Sequence, residues 1–305
     1  MPELPLTCAS GATALSHLGV IRARGADAAD FLHGQLTQDV RGLATGAACF
    51  ADYLSPKGRV LASCVVLRRA PDELLLLCHH SVLAAALRRL ALFVLRARVT
   101  LEDATPAYAM VGLLGAATRA CVPEGAPPWS AHAAGPACAV ALHPADGVAR
   151  ALWIAPAGEP APQADAVDVA AWLLAEVRCG VVTVSAPVAD AYVPQMLNHE
   201  SVGAVHFHKG CYPGQEVVAR SQFRGSVKRR TALTRCAAAL AVGDEVFSAG
   251  ASIGTVVQSA ALPDGGCSAL VVLPTAAAHD ALRARSPEGA PLQIEALPYA
   301  LVSDV

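Results

Sequence analysis

Apolar residues along this chain recur at two spacings, and each change of spacing marks a change of element. Leu18-Gly19-Val20-Ile21-Arg22-Ala23-Arg24-Gly25 reads as a short strand followed by a turn. Asp27 then stands where a helix N-cap belongs, ahead of Phe31, Leu32 and Leu36 on one face. Ala47–Leu54 and Val60–Arg68 are strand-like and flank Ser55-Pro56-Lys57-Gly58, a hairpin turn. Glu73–Cys78, almost wholly leucine, predicts a buried strand. Ser81 is placed to cap a helix running to about Leu95, with Leu83, Leu87, Leu90 and Val94 at helical spacing. Val99–Leu101 and Ala109–Leu114 are further strand candidates.

From about Cys121 to Gln163 the chain is broken by Pro, Gly and Ala, with strand-like runs at Ala137–Leu142 and Ala151–Ile154. Asp168 opens a helix that Gly180 ends. Beyond Lys228 the texture changes to short apolar runs between glycine-rich breaks, as in Ile253-Gly254-Thr255-Val256-Val257, which predicts a small β-barrel. Strands followed by helices packed on one face indicate an α+β architecture.

Length and composition sharpen this reading. A chain of 305 residues holds two or three cores rather than one. Hydrophobic residues make up 54% of it, but alanine supplies much of that share and adds helix propensity more than packing area. Mean hydropathy is +0.43, yet the most apolar stretch, Val82 to Val99, is interrupted by Arg88, Arg89, Arg96 and Arg98. Met1-Pro2-Glu3 carries no basic region followed by an apolar core, so no secretory signal is expected. These features point to a cytoplasmic protein without a membrane partner.

The ten cysteines, Cys8, Cys49, Cys64, Cys78, Cys121, Cys138, Cys179, Cys211, Cys236 and Cys267, contain no CxxC, and several lie in apolar runs. That spacing predicts reduced thiols and no structural metal or cluster site. A net charge of −2 argues against general nucleic-acid affinity. Locally, Arg220, Arg224, Lys228, Arg229 and Arg230 follow closely on His206, His208 and Lys209. Such a run is either a solvated face or an anion site suited to a polyglutamate tail or an RNA backbone.

One stretch carries the chemistry: His208-Lys209-Gly210-Cys211-Tyr212-Pro213-Gly214-Gln215-Glu216-Val217-Val218-Ala219-Arg220. Its glycines and proline bracket Cys211 in a tight turn. Lys209, two residues earlier, is a cation of the kind that favours a thiolate. Gln215 and Glu216 then lead into what reads as a short buried element.

The string K-G-C-Y-x-G-Q-E-x-x-A-R resembles the signature of the YgfZ-type folate-binding proteins. These are relatives of the glycine-cleavage T-protein, associated with iron–sulfur cluster maintenance and tRNA modification. Ala29–Val40, Arg178-Cys179-Gly180-Val181-Val182, Val193-Pro194-Gln195-Met196-Leu197-Asn198 and Leu297-Pro298-Tyr299-Ala300-Leu301 are similar to the family pattern as well. The resemblance implies three domains in a ring around a central folate channel. They are a split first domain (1–45 and 115–225) holding the folate site and the cysteine motif, a ferredoxin-like α+β second domain (46–114), and a C-terminal β-barrel (226–305).

A folate site needs hydrogen-bonding partners for the pterin, an apolar slot for its faces and cations at its mouth. Gln195, Asn198 and Glu216 are candidates for the first, Trp153 and Tyr192 for the second, and Arg220 or Arg229 for the third, with Tyr212 and Gln215 of the loop beside them. Where T-proteins carry paired aspartates, this chain has Ala62-Ser63, which lacks the carboxylate that aminomethyl transfer requires. The expected function is therefore an accessory factor that uses Cys211, helped by Lys209, with bound tetrahydrofolate or a derivative. It would assemble or repair iron–sulfur clusters in client enzymes, acting on tRNA modification indirectly through them or through cluster-assembly proteins. A non-catalytic folate-responsive adaptor is the alternative, and direct tRNA binding rests only on the basic run.

Overall fold

Two five-stranded antiparallel sheets and a closed barrel organise the chain. The structure, a computed structural model, describes residues 9–223, 227–279 and 281–302. The first sheet joins β1 (Gly11–Ala14), β7 (Tyr108–Leu114), β10 (Val148–Pro156), β9 (Ala137–Ala145) and β8 (Ala131–Ala134), in that order. The second joins β3 (Ala48–Leu54), β4 (Val60–Ala70), β5 (Glu73–His79), β2 (Leu18–Arg24) and β6 (Thr100–Asp103). The expected boundaries cut across this pairing. β2, from the expected first domain, is hydrogen-bonded along its length to β5, and β7, from the expected second, pairs with β1 and β10.

The barrel closes in the order β11 (Arg229–Cys236), β14 (Cys267–Pro274), β13 (Ala251–Ala261), β12 (Glu245–Ser248), β15 (Leu282–Ala284) and β16 (Pro291–Glu295), with β16 returning to β11. Closure leaves no free edge, which is how a set of short strands satisfies its backbone. Val246, Val256, Val271 and Leu282 fill its interior.

Among the described residues, four α-helices complete the fold: α1 (Ala28–His33), α2 (His80–Ala91), α3 (Val169–Arg178) and α4 (Gln215–Phe223). α3 follows its sequence closely. Asp168 accepts the Ala170 amide at 2.8 Å, and Gly180 takes a positive φ of 73° just past the end. Elsewhere the local signals yield to tertiary contacts. Asp27 precedes α1, but its carboxylate is taken by the amide and guanidinium of Arg98 and makes no cap bond. His79 rather than Ser81 caps α2, because the Ser81 hydroxyl accepts the Ala186 amide. α2 stops at Ala91, where bonds from Phe93 to Leu90 and from Val94 to Ala91 tighten the last turn and end the ladder before Leu95.

The stretch after Cys211 also differs from expectation. It is the helix α4, and only Val218 and Gln222 are buried. At about 100° per residue, three consecutive apolar residues cannot share one face, so Val217 stays exposed.

Candidate functional site

The Cys211 loop is held by backbone contacts to two distant turns. Gly214 has φ +80°, and a Cβ there would come within 2.6 Å of Gly58 Cα and of Ser55 O, in the β3–β4 hairpin turn. On its other flank, Lys209 donates to the carbonyls of His33 and Leu36, at 2.6 Å for the second, and its ammonium lies 5.0 Å from the Tyr212 ring centroid. Burial lowers the Lys209 pKa to about 8. The amine is thus committed to α1 and the turn beyond it. Cys211 itself is exposed, and Tyr212 beside it is buried, with burial and then the Asp52 charge pushing its phenol up to about 12.

The other residues singled out from sequence brace this region. Gln195 is fully buried and donates to Val218 O at 2.8 Å, tying a short 3-10 turn to α4. Asn198, in the left-handed conformation, donates to Thr231 O at 2.8 Å on β11. Tyr192 receives the Val60 amide on its carbonyl. Gln215 begins α4, and Glu216 pairs with Arg220 on its exposed face. Trp153 lies among Leu113, Val122 and a carpet of alanines on the outer side of the first sheet.

The basic run is largely engaged within the protein. Arg229 donates to Ile253 O, and Arg230 forms a 2.6 Å ion pair with the buried Glu200. Arg224 lies outside the described residues.

A cleft lies elsewhere, between the two sheets and α3, with an interior of about 70 Å³. Leu18, Phe50, Val65 and Leu77 come from the second sheet, Leu142 and Leu152 from the first, and Trp172 and Cys179 from α3. Trp129 stacks on Phe50 at 4.5 Å between centroids. Strand alternation explains the exclusion of Trp153: Arg150 and Leu152 face the cleft, so Trp153 faces away. None of Cys211, Lys209, Gln195, Asn198, Tyr212, Gln215, Glu216, Arg220, Trp153 and Arg229 lines it.

Two buried charges face this cleft. Arg150, 5% exposed, lays its guanidinium over the Trp172 ring at 4.6 Å. It makes a long 3.4 Å hydrogen bond to His143 O and lies beside the Cys179 thiol, and its Nε has no partner among the described residues. Glu176, 8% exposed, accepts Trp172 Nε1 at 2.8 Å and His17 Nε2 at 3.1 Å, both on Oε1. Burial would raise its pKa, but the His17 bond and charge, then Arg150 and the indole, hold it below the usual carboxylate value. His143 is driven down to about 4 by burial and by Arg150, so it is neutral at physiological pH.

A second buried pair fixes the wall behind Phe50. Asp52 and His199 are both fully buried, with His199 Nδ1 2.8 Å from Asp52 Oδ1 and His199 Nε2 3.0 Å from Val182 O. Burial opposes the imidazolium, but the Asp52 charge and hydrogen bond, the Val182 carbonyl and Glu200 outweigh it and raise the His199 pKa. Among the described residues, no three His, Cys, Asp or Glu side chains converge as a metal-ligand set. No helix there is long and apolar enough to cross a membrane.

Comparison with known proteins bears on this arrangement. The GCVT N-terminal domain profile matches residues 7–133. The tRNA-modifying protein YgfZ of Sodalis glossinidius is 28% identical over 320 residues, covering 98% of this chain and 94% of that protein. Its namesake in Edwardsiella ictaluri is 29% identical over 303 residues, covering 92% and 89%. Among solved structures, the glycine cleavage system aminomethyltransferase T of Bartonella henselae superposes with a TM-score of 0.72 at 15% identity, covering 97% of this chain and 88% of that one. Over nearly its whole length the chain is thus similar to the YgfZ proteins, and it has the fold of a T-protein.

The expected T-protein-like α+β fold with a closed C-terminal barrel is thus the fold found. Ser63 lines the cleft, where its hydroxyl accepts the Val184 amide at 3.0 Å, while Ala62 faces the opposite core. The carboxylate that does line the cleft, Glu176, sits on α3 and was not singled out from the sequence. Neither were Arg150, Trp129, Trp172 and His143. One signal was present for Arg150, a lone cation at the start of the run Ala151-Leu152-Trp153-Ile154.

Proposed function

We propose that this YgfZ-like protein binds tetrahydrofolate or a derivative in the cleft between its sheets and serves the assembly or repair of iron–sulfur clusters in client enzymes. Its role in tRNA modification is then indirect, through those clients. The observation that carries the reading is the pairing of aromatic walls (Phe50, Trp129, Trp172) with two buried charges, Arg150 and Glu176, that retain hydrogen-bonding capacity toward the cleft. A flat heterocycle with polar edges and apolar faces suits such a lining. The T-protein-like fold and the tRNA-modifying relatives support the same reading.

The exposed thiol of Cys211 is a separate feature, on a loop outside the cleft lining. We assign it to the downstream step on client clusters, in which the cluster is the cargo. One thiol does not hold a cluster alone, so a partner chain supplies further ligands. The engagement of Lys209 by the His33 and Leu36 carbonyls lends weight to the second reading, a folate-responsive adaptor without thiol chemistry.

Calorimetric and thermal-shift titration with tetrahydrofolate tests the first element, since a ligand that binds only the folded protein raises its stability. Binding by both wild type and Cys211→Ala is the expected result; no binding by the wild type refutes the folate reading. Restoring client activity in cells with Cys211→Ala then separates the two functional readings. Full restoration leaves the adaptor, and loss with an intact fold leaves the thiol.

A further inference from the structure

A guanidinium buried in a largely apolar cleft with no carboxylate in direct contact is costly unless something else satisfies its donors. Arg150 is in that position. Among the described residues it makes no ion pair, its Nε is unpartnered, its hydrogen bond to His143 O is long, and its other polar neighbour is the weak acceptor Cys179. The guanidinium carbon lies over the Trp172 ring, 4.6 Å from its centroid, and the planar fork loses little freedom when an acceptor arrives. The same indole fixes its neighbour. Trp172 Nε1 and His17 both donate to Glu176 Oε1, and Oε2 has no protein donor among the described residues. Trp172 therefore displays a donor group and an acceptor group side by side on the cleft wall.

One edge of a pterin carries the complementary order: an acceptor at the 4-oxo group, then donors at N3–H and the 2-amino group. Resting on the folate reading above, we infer that Arg150 and Glu176 read this edge, with the guanidinium donating to the 4-oxo oxygen and the carboxylate accepting from N3–H and the 2-amino group. Arg150 is the member that reads the 4-position. A 2,4-diamino pteridine keeps the 2-amino donor but turns a bare N3 acceptor toward Glu176, and it sets its 4-amino group against the Arg150 donors, so both residues meet a mismatch. A site built for one hydrogen-bonding pattern rejects a ligand that lacks it far more strongly than an apolar pocket rejects a change of size.

The test is isothermal titration of the intact protein, under anaerobic conditions, with tetrahydrofolate and with its 4-amino counterpart, tetrahydroaminopterin. The wild type is expected to favour the 4-oxo ligand at least about tenfold, a modest fraction of what such sites achieve. In Arg150→Gln, whose amide offers either a donor or an acceptor, the preference is expected to fall by at least about threefold, the remainder resting on N3 at Glu176. Glu176→Gln is expected to weaken the 4-oxo ligand, which loses the acceptor for its N3–H and 2-amino group. Thermal unfolding of each variant without ligand shows whether it is folded, and the wild-type comparison stands even if Arg150→Gln is not. Equal wild-type affinity for the two ligands overturns the edge assignment and leaves folate binding intact. Binding of neither overturns both.

Discussion

Gly214 and Gly58 lie against each other: a Cβ on Gly214 would meet Gly58 Cα at 2.6 Å and Gly58 N at 2.7 Å. The Cys211 loop therefore rests directly on the β3–β4 hairpin turn, and Gly214 also needs a positive φ of 80°. Gly214→Ala is expected to cost about 1–3 kcal/mol, combining the strained conformation with the clash. Urea unfolding measures the loss. Alkylation of Cys211 should also quicken as the loop lifts from its seat; unchanged stability and unchanged alkylation would show that the two turns do not support each other.

The Asp52–His199 pair predicts both a magnitude and a pH dependence. Removing one partner of a buried ion pair leaves the other uncompensated, so His199→Ala is expected to destabilise by roughly 3–5 kcal/mol. The folded pKa of His199 is raised, so its contribution is fully present below the unfolded value and is lost as pH rises through the folded value. Melting curves from about pH 6 to about pH 9 should show the gap between wild type and variant narrowing toward the alkaline end. Using the difference between the two proteins removes the opposing contribution of Lys209, whose depressed pKa favours the fold as pH rises. A gap that widens with pH contradicts the assignment.

The two tryptophans on either side of the first sheet should separate cleanly. Trp153→Ala is expected to cost about 3–5 kcal/mol through the cavity it leaves among Leu113, Val122 and the alanines, with no loss of folate affinity in the protein that remains folded. Trp172→Phe keeps most of the volume but removes the hydrogen bond to Glu176, so it should weaken folate binding more than it lowers the melting temperature. Calorimetry and thermal unfolding on the two variants decide the matter. The reverse pattern would place the ligand on the outer face.

Lys209 should act on the loop rather than on the thiol. Lys209→Met removes donors from the His33 and Leu36 carbonyls and is expected to cost about 1–2 kcal/mol. The alkylation rate of Cys211 should change by less than roughly threefold, because the amine is held by α1 and the turn beyond it. A tenfold fall in that rate would restore Lys209 as the activating cation.

What the sequence made legible follows from the range of the interactions involved. The β3–β4 hairpin, α3 between Asp168 and Gly180, the barrel strands and the Cys211 turn are set by neighbours a few residues apart, and each stands close to where its pattern put it. Asp27 shows the limit: it has the right type and place for a cap, but Arg98, 71 residues away, takes its carboxylate. The cleft lies wholly beyond that limit. Arg150 and Glu176 are brought together only when β10 and α3 pack around Trp172, and no local spacing records that meeting. Trp153 was singled out for its residue type, but its place on the strand points it away from the cleft. The parity of Leu152 and Trp153 along β10 carried that information, once it was known which face of the sheet the cleft occupies.

The second sheet, residues 18 to 103, sits wholly between β1 and its partner β7. On the ribosome, every strand of the second sheet is therefore available before β1 has anything to pair with. β1 must wait through about ninety residues of synthesis, several seconds at ordinary elongation rates. The cleft is completed later still, since its last wall residue is Thr183. On the folate reading, a nascent chain captures no ligand in the cleft until three-fifths of it has emerged, so folate would stabilise the finished arrangement but not template the sheet that forms first.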